Sequence, residues 1–312
     1  MSPDQAALDT LIAAAKKEGE LTLYSANVDS TINKMVDGFK AAYGITVNHP
    51  PRSQTAAMLT RFNTETDAGS SPADILESEG RPEYDDMLAK GRILSLDAQK
   101  IPFVADYPKA FKTAYSIHHQ ASKSGLCYNT DQIKPADLTK WADLGNAKVH
   151  MLYPDPALTP VYAAQWANII SNGGIVVLQN IAKNQHKVVA STVPGFELLT
   201  AGEGNVLLGC PLSLAQPAID KKAPIGYIEL SPTTGYEFGI AIPTKAPHPN
   251  AARLYAYWLT TKAGQVATNA GISVAPAFPQ GVDGTLPIGA YVGFDQAAVV
   301  AQLPAIKAAL GF

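Results

Sequence analysis

The sequence predicts an α/β protein of layered sheets and helices, and three observations carry the prediction. Short apolar strands alternate with amphipathic helices through the first third of the chain, and the same alternation resumes after Trp141. With 312 residues, 46% hydrophobic and 16% charged, the chain is long enough for two ordinary domains and too apolar for disorder.

The elements follow in order. Leu8, Leu11, Ile12 and Ala15 recur at helical spacing up to Gly19, and ELTLYSA then alternates like a strand. STINKMVDGFKAAYG places Ile32, Met35, Val36 and Phe39 on one helical face and stops at Gly44; the strand ITVNH and a helix carrying Met58, Leu59 and Phe62 come next. ADILES is a third strand, and RPEYDDMLAKG a third helix ending at Gly91. Strands separated by helices of this length pair in parallel through right-handed crossovers. The rhythm breaks in IPFVADYPKAFKTAYSIHHQASKSGLCYNTDQIKP, read as a crossing between domains that includes a strand GLCYN. Beyond it the pattern gives a strand KVHMLYPD, a helix over 160–172, a helix IVVLQNIAKN, a strand KVVAS, a helix VPGFELLTAGEG, a strand NVLLG and a helix to Asp220. PIGYIEL and GYEFGIAIP read as strands leading back, HPNAARLYAYWLTTKAGQVATNAG as a helix pair, and the last 37 residues as a strap on one lobe.

A formal net charge of −3 provides no general attraction for nucleic acid or anionic membranes, so a small-molecule ligand is the expected partner. The two cysteines, Cys127 and Cys210, lack a CxxC spacing and are expected as buried free thiols, with a pairing across the fold as the alternative. No apolar run reaches the roughly 18–20 residues that span a bilayer. The opening MSPDQAALDTLIAAAKKEGE goes almost directly into a helix, which suggests either a cytoplasmic protein or a mature form freed of its export signal.

Motifs for catalysis are missing. There is no GxxxxGK[ST] loop, no GxGxxG after a strand and no GxSxG elbow. His118 and His119 are adjacent and have no third ligand at a metal-site spacing, and the pairs Glu77/Glu79 and Asp85/Asp86 lack a catalytic partner. The expectation is a binding protein rather than an enzyme, without cofactor. In a parallel sheet, ligands bind where strand tips meet helix N-termini. Three such tips are Ser25-Ala26-Asn27, Arg52-Ser53-Gln54-Thr55 and Glu77-Ser78-Glu79. Helix capping is the competing use for Ser30 and Ser53.

At these tips the sequence resembles a known family. LTLYSANVDSTINKMVDGFKAAYGITV, PADILESEG, GLCYNTD and AARLYAYWLTTKAGQ, in this order, are similar to the extracellular solute-binding proteins of ABC importers, in the branch of the ferric-iron-binding proteins. The resemblance implies a type 2 periplasmic-binding-protein fold: two lobes, each a mixed sheet flanked by helices, with a ligand cleft between them. Lobe 1 would comprise 1–104 completed by 239–275, and lobe 2 would comprise 105–238 completed by 276–312. It also implies a periplasmic location, a membrane permease as partner, and a monomer that binds no nucleic acid.

Carried over residue by residue, the iron site of that branch is incomplete. The loop after the first strand, Ser25-Ala26-Asn27, has no histidine; the glutamate after the third strand is retained as Glu79; and Cys210-Pro211-Leu212 stands where the family has adjacent tyrosines. Ferric ion is a hard cation that favours anionic oxygen ligands, which proline and leucine do not supply. Tyr153, Tyr227 and Tyr236 leave another ferric arrangement open. The family's anion loop matches YPDPALTP, with Tyr153, Asp155 and Thr159 ahead of a helix N-terminus. Arg52, Arg81 and Lys123 are the basic groups placed nearest the cleft. The ligand is therefore expected to be a small organic anion, a carboxylate, phosphonate or phosphate ester. Arg52 or Arg81 would hold its charge, Glu79 a donor or cationic group, and the corner from Cys210 to Ser213 its carbon skeleton. A ferric-binding protein with a different ligand set, an enzyme on the same architecture and a cytoplasmic effector-sensing domain are the alternatives.

Overall fold

A computed structural model describes residues 3–80 and 82–312; Arg81, one of the expected anion contacts, lies outside the described residues, as do Met1 and Ser2. The chain runs α1 (Pro3–Glu18), β1 (Glu20–Ser25), α2 (Asp29–Tyr43), β2 (Thr46–Asn48), α3 (Thr55–Asp67), β3 (Ile75–Glu79), α4 (Pro82–Ala89) and α5 (Leu96–Gln99). It continues through β4 (Ile117–Asn129), β5 (Met151–Pro154), α6 (Pro160–Gly173), α7 (Ile175–Lys183), β6 (His186–Val189), α8 (Thr192–Thr200), β7 (Val206–Pro211) and α9 (Leu212–Asp220). The last elements are β8 (Ile225–Ile228), β9 (Gly235–Ala241), α10 (Pro249–Thr260), α11 (Lys262–Asn269), α12 (Gln296–Ala301) and α13 (Leu303–Leu310). The predicted α/β alternation is present in order. Gly44 closes α2 in the left-handed region, at φ 73°, where glycine carries no steric penalty.

The chain divides into two compact units, residues 1–121 with 237–288 and residues 122–236 with 289–312. The first boundary falls inside β4, well after the expected 104/105, for a physical reason. Tyr107 donates its hydroxyl to the carbonyl of His118 at 2.7 Å, and Ala121 pairs with Val274, which in turn pairs with Leu286. These contacts tie 105–121 and 276–288 to unit 1. Only the segment after 288 straps unit 2, where α12 packs on α6 and α13 on α7.

In unit 1 the strand order is β2-β1-β3-β9, with β1 parallel to both β2 and β3 and β9 antiparallel to β3. One face of this sheet buries Tyr24, Met58, Leu59, Phe62, Leu76 and Met87. Phe39 of α2 packs on Tyr255 and Trp258 of α10, with ring centroids 5.0 and 5.7 Å apart. In unit 2 the order is β4-β7-β5-β6, with β8 on the other edge of β4; β5 runs parallel to β6 and β7, and β4 antiparallel to β7 and β8. Trp141, Met151, Tyr153 and Trp166 fill one core of this unit; Leu152, Leu207, Ala215 and Ile225 fill another.

Two expectations are corrected here. β4 extends back to Ile117, well beyond GLCYN, and its polar stretch is buried rather than looped, with His119, Gln120, Ser122, Lys123 and Ser124 all shielded from solvent. Cys127 and Cys210 are not free thiols. Antiparallel β4 and β7 bring their Cα atoms to 5.5 Å, and the two sulfurs form a disulfide.

Candidate functional site

Because β1, β2 and β3 are parallel, their C-terminal ends open on one edge of unit 1, and the turns into α2 and α3 lie there. The turn after β1 is organised by Glu77, whose carboxylate is 1% exposed. Ser25 donates its hydroxyl to Glu77 at 2.6 Å, and Asn27 Nδ2 donates to Glu77 at 3.1 Å and to Gln120 at 2.8 Å. His119 Nε2 lies 3.2 Å from the same carboxylate, and Gln120 continues the chain of contacts to Ser273 and Asn269. Ser25 Oγ also accepts from the Asn27 backbone, and Asn27 Oδ1 accepts from Val28. The side chains of Ser25 and Asn27, both expected as ligand contacts, thus shape the turn itself.

The groups left on this edge are mostly donors, beside the carboxylates of Asp29 in the first turn of α2 and Glu79. Neither α2, with Val28 at its N-cap, nor α3, with Gln54, receives a capping bond from the N-cap side chain. Thr31 and Thr55, in their first turns, have buried hydroxyls without a hydrogen-bond partner. Arg52 donates from Nη2 to the carbonyl of Ala26 at 3.1 Å, while its buried Nε has no partner. Ser53 is half-buried, and its backbone N–H donates to Ser25; Gln54 is exposed. Glu79 sits half-buried at the end of β3, opposite Phe238. Two helix N-termini, a guanidinium and two hydroxyls form a surface suited to an anionic group.

In unit 2 the parallel strands β5, β6 and β7 lead into α6, α8 and α9. The expected residues here are mostly engaged. Thr159 caps α6 by accepting from Tyr162 N at 3.3 Å. Asp155 accepts from Ala157 N at 2.8 Å and lies 3.4 Å from Lys307. Tyr153 is fully buried, edge-on to Trp166 with ring centroids 4.9 Å apart, so its place is the core. Cys210, offered as a ligand contact, is buried and bonded to Cys127, so its sulfur presents nothing to a ligand. Pro211, Leu212 and Ser213 are half-buried, Pro211 ending β7 and the other two beginning α9. Lys123, expected as a basic group of the site, is buried and neutralised by Glu229 at 2.6 Å.

Sequence reasoning placed Glu77 at a strand tip without giving it a role, and it did not single out Tyr162, Thr192 or Gln165. Glu77 had a signal, since it shares a strand face with Glu79 and lies two residues deeper. Tyr162 and Thr192, whose hydroxyls are 3.2 Å apart, come from different helices and carry no common motif.

Among the described residues, no group of three or more His, Cys, Asp or Glu side chains could hold a metal ion. Two of the tyrosines left open for iron are shifted away from the phenolate. Burial, with Asp155 adding, pushes Tyr153 up to about 12, and burial with Glu229 raises Tyr227 further.

The sequence matches the model of a family described as bacterial extracellular solute-binding protein, over residues 21–271. None of the curated proteins matches it. Among solved structures it is similar to iron-bound HitA from Pseudomonas aeruginosa, at 17% identity and TM-score 0.72, covering 94% of this chain and 99% of that one. It is similar to the substrate-binding protein of an ABC transporter from Agrobacterium tumefaciens, at 16% identity and TM-score 0.73, covering 93% and 94%. A third is MotA from A. tumefaciens B6 in complex with glucopine, at 16% identity and TM-score 0.68, covering 93% and 98%. The fold is that of the periplasmic binding proteins.

Proposed function

The chain belongs to the bacterial extracellular solute-binding proteins, and from that premise we propose that it captures a small organic anion for an ABC importer, through the strand-tip edge of unit 1. The ligand class is a carboxylate, phosphonate or phosphate ester. One observation carries the reading: Arg52, with a buried and unpartnered Nε, stands beside the N-termini of α2 and α3, neither of which is capped by its N-cap side chain. A guanidinium and helix N-terminal N–H groups are complementary to carboxylate and phosphate oxygens. Glu79, at the end of β3, would meet a donor or cationic group of the same ligand.

Two observations support the rest of the reading. A buried disulfide fits a protein that works outside the reducing cytoplasm. Tyr153 is packed in the core against Trp166, which takes one of the tyrosines left open for iron out of reach of a ligand.

The test begins with the mass of the purified protein under native and denaturing conditions. An organic mass lost on denaturation supports the reading, and a mass matching iron overturns it. Arg52→Ala is expected to weaken binding of that ligand about 30-fold, or ~2 kcal/mol, and to change unliganded stability by less than about 0.5 kcal/mol. Isothermal titration calorimetry and denaturant unfolding measure the two quantities. Unchanged affinity removes Arg52 from the site.

A further inference from the structure

We propose that unit 1 carries a second ligand site, away from its strand-tip edge, that binds a medium-chain carboxylate in a groove between α1 and α10. The site shares no residue with the anion reading above and does not depend on it.

The groove has a volume of about 430 Å³, within the range of small-molecule pockets. Helix α1 contributes Ala7, Leu11 and Ala14, the segment after α5 contributes Lys100 and Pro102, and α10 contributes Arg253. All of these residues belong to unit 1. Glu18, at the end of α1, bonds the first residues of α10 and stands just before β1. The start of α10 therefore lies by the N-terminal end of β1, opposite the turn formed by Ser25 and Asn27.

Two cations supply the head-group contacts. Arg253 is half-buried, its Nε is buried without a hydrogen-bond partner, and no ion pair neutralises it. The other described arginines each find an acceptor in the chain: Arg52 the carbonyl of Ala26, Arg61 the carboxylate of Glu65, and Arg92 the side chains of Asn63 and Asp67. Lys100 is exposed and makes no ion pair. Glu18 cannot serve as the counter-charge, because its oxygens accept from Asn250 N, Asn250 Nδ2 and Ala251 N at 2.6–3.2 Å. The same bonds close the N-terminus of α10 to a ligand. A buried guanidinium N–H without an acceptor is costly, and the planar edge of a guanidinium matches a carboxylate.

The rest of the lining calls for hydrocarbon. Alanine, leucine and proline side chains offer no polar partner. One turn beyond Arg253 on α10 stands Tyr257, and one residue beyond Pro102 stands Phe103; their half-buried rings have centroids 6.0 Å apart. These two rings, with Tyr107 and Pro108, line an adjoining hollow of about 340 Å³. Lys100 and Phe103 adopt φ of 49° and 59°, a region that side-chain-bearing residues seldom occupy, and so hold a charge and a ring on either side of Pro102. A carboxylate on Arg253 with its alkyl chain laid toward Phe103 and Tyr257 satisfies both ends. Asp106 also lines the far hollow and disfavours a second carboxylate there, so a monocarboxylate is preferred to a dicarboxylate of equal length.

The test titrates octanoate, butanoate and octanedioate by calorimetry into the parent and three variants. Octanoate is expected to bind the parent more tightly than about 1 mM, and at least about 10-fold more tightly than butanoate or octanedioate. It is also expected to slow hydrogen exchange in α1 and in residues 100–106. Arg253→Met keeps the apolar stem and removes the charge; Ala7→Glu adds a negative charge at an exposed position of α1 and preserves the test should Arg253→Met fail to fold. Each is expected to weaken octanoate about 10-fold or more, whereas Arg52→Ala leaves it unchanged. A parent that does not bind octanoate, or equal affinity in the parent and both groove variants, overturns the proposal. If affinity falls in Arg52→Ala alone, octanoate occupies the strand-tip edge, so this proposal falls and the anion reading stands. If all three variants weaken it, slowed exchange in α1 sustains the groove, and slowing confined to the turns after β1 and β2 overturns it.

Discussion

The turn after β1 in unit 1 and the turn after β7 in unit 2 occupy corresponding places, each at the C-terminal end of a strand and just before a helix, yet they are held by different physics. The first is organised by a buried carboxylate, Glu77, which gathers Ser25, Asn27 and His119 around it. The second is pinned by a covalent bond, Cys127–Cys210. A buried charge persists only when its neighbours donate to it, so polar groups must be committed to the turn. A disulfide makes no such demand. Unit 2 keeps neutral side chains such as Gln165 without hydrogen-bond partners, whereas at the strand-tip edge of unit 1 the unpartnered atoms include the hydroxyls of Thr31 and Thr55 and Nε of Arg52.

The largest expected effect breaks the covalent side of this contrast. Replacing both cysteines by alanine is expected to cost about 4 kcal/mol, from the chain entropy of a loop closed across 83 residues. Denaturant unfolding measures the loss, and hydrogen exchange should show faster opening of β7 and α9 with little change in β1 and α2. Uniform acceleration across both units would mean that the bond supports more than its own turn. The electrostatic side is next. Glu77→Ala strands two donors and an imidazole and is expected to cost about 3 kcal/mol, with faster exchange confined to the turn after β1. A cost below about 0.5 kcal/mol would make the carboxylate incidental to the turn.

The smallest effect concerns acid. Asp143 in unit 2 is held below its ordinary value of 3.8: burial raises it, but the N–H groups of Thr139 and Lys140 and the Thr139 hydroxyl, donating at 2.9–3.0 Å, outweigh that. A carboxyl lowered on folding contributes stability above its unfolded value, and that contribution is lost as pH falls through the folded value. Asp143→Asn should therefore be less stable than the parent at neutral pH, with the difference shrinking below about pH 4. A difference independent of pH would assign the residue's role to shape alone.

Much of the fold was legible because its physics is local and periodic. Ile32, Met35 and Phe39 mark the buried face of α2, and Gly44 marks its end. The boundary between the units was not legible, because β4 hides a strand under His118, His119, Gln120 and Lys123, residues whose polarity reads as a loop until their partners are known. The expected residues divide in the same way. Arg52 and Thr55 lie at the turn into α3, where strand-tip logic alone puts them. Tyr153 and Cys210 were misplaced, since only the three-dimensional pairing shows one packed on Trp166 and the other bonded to a residue 83 positions away.

That bond also has a topological consequence. The segment between Cys127 and Cys210 contains β5, α6, α7, β6, α8 and almost all of β7, so nearly every element that shapes the strand-tip edge of unit 2 belongs to one closed covalent ring. A protease that cuts once within this ring opens it without releasing a fragment. The two pieces separate only when the sulfurs are reduced, so in an oxidising milieu a nicked molecule keeps its parts together.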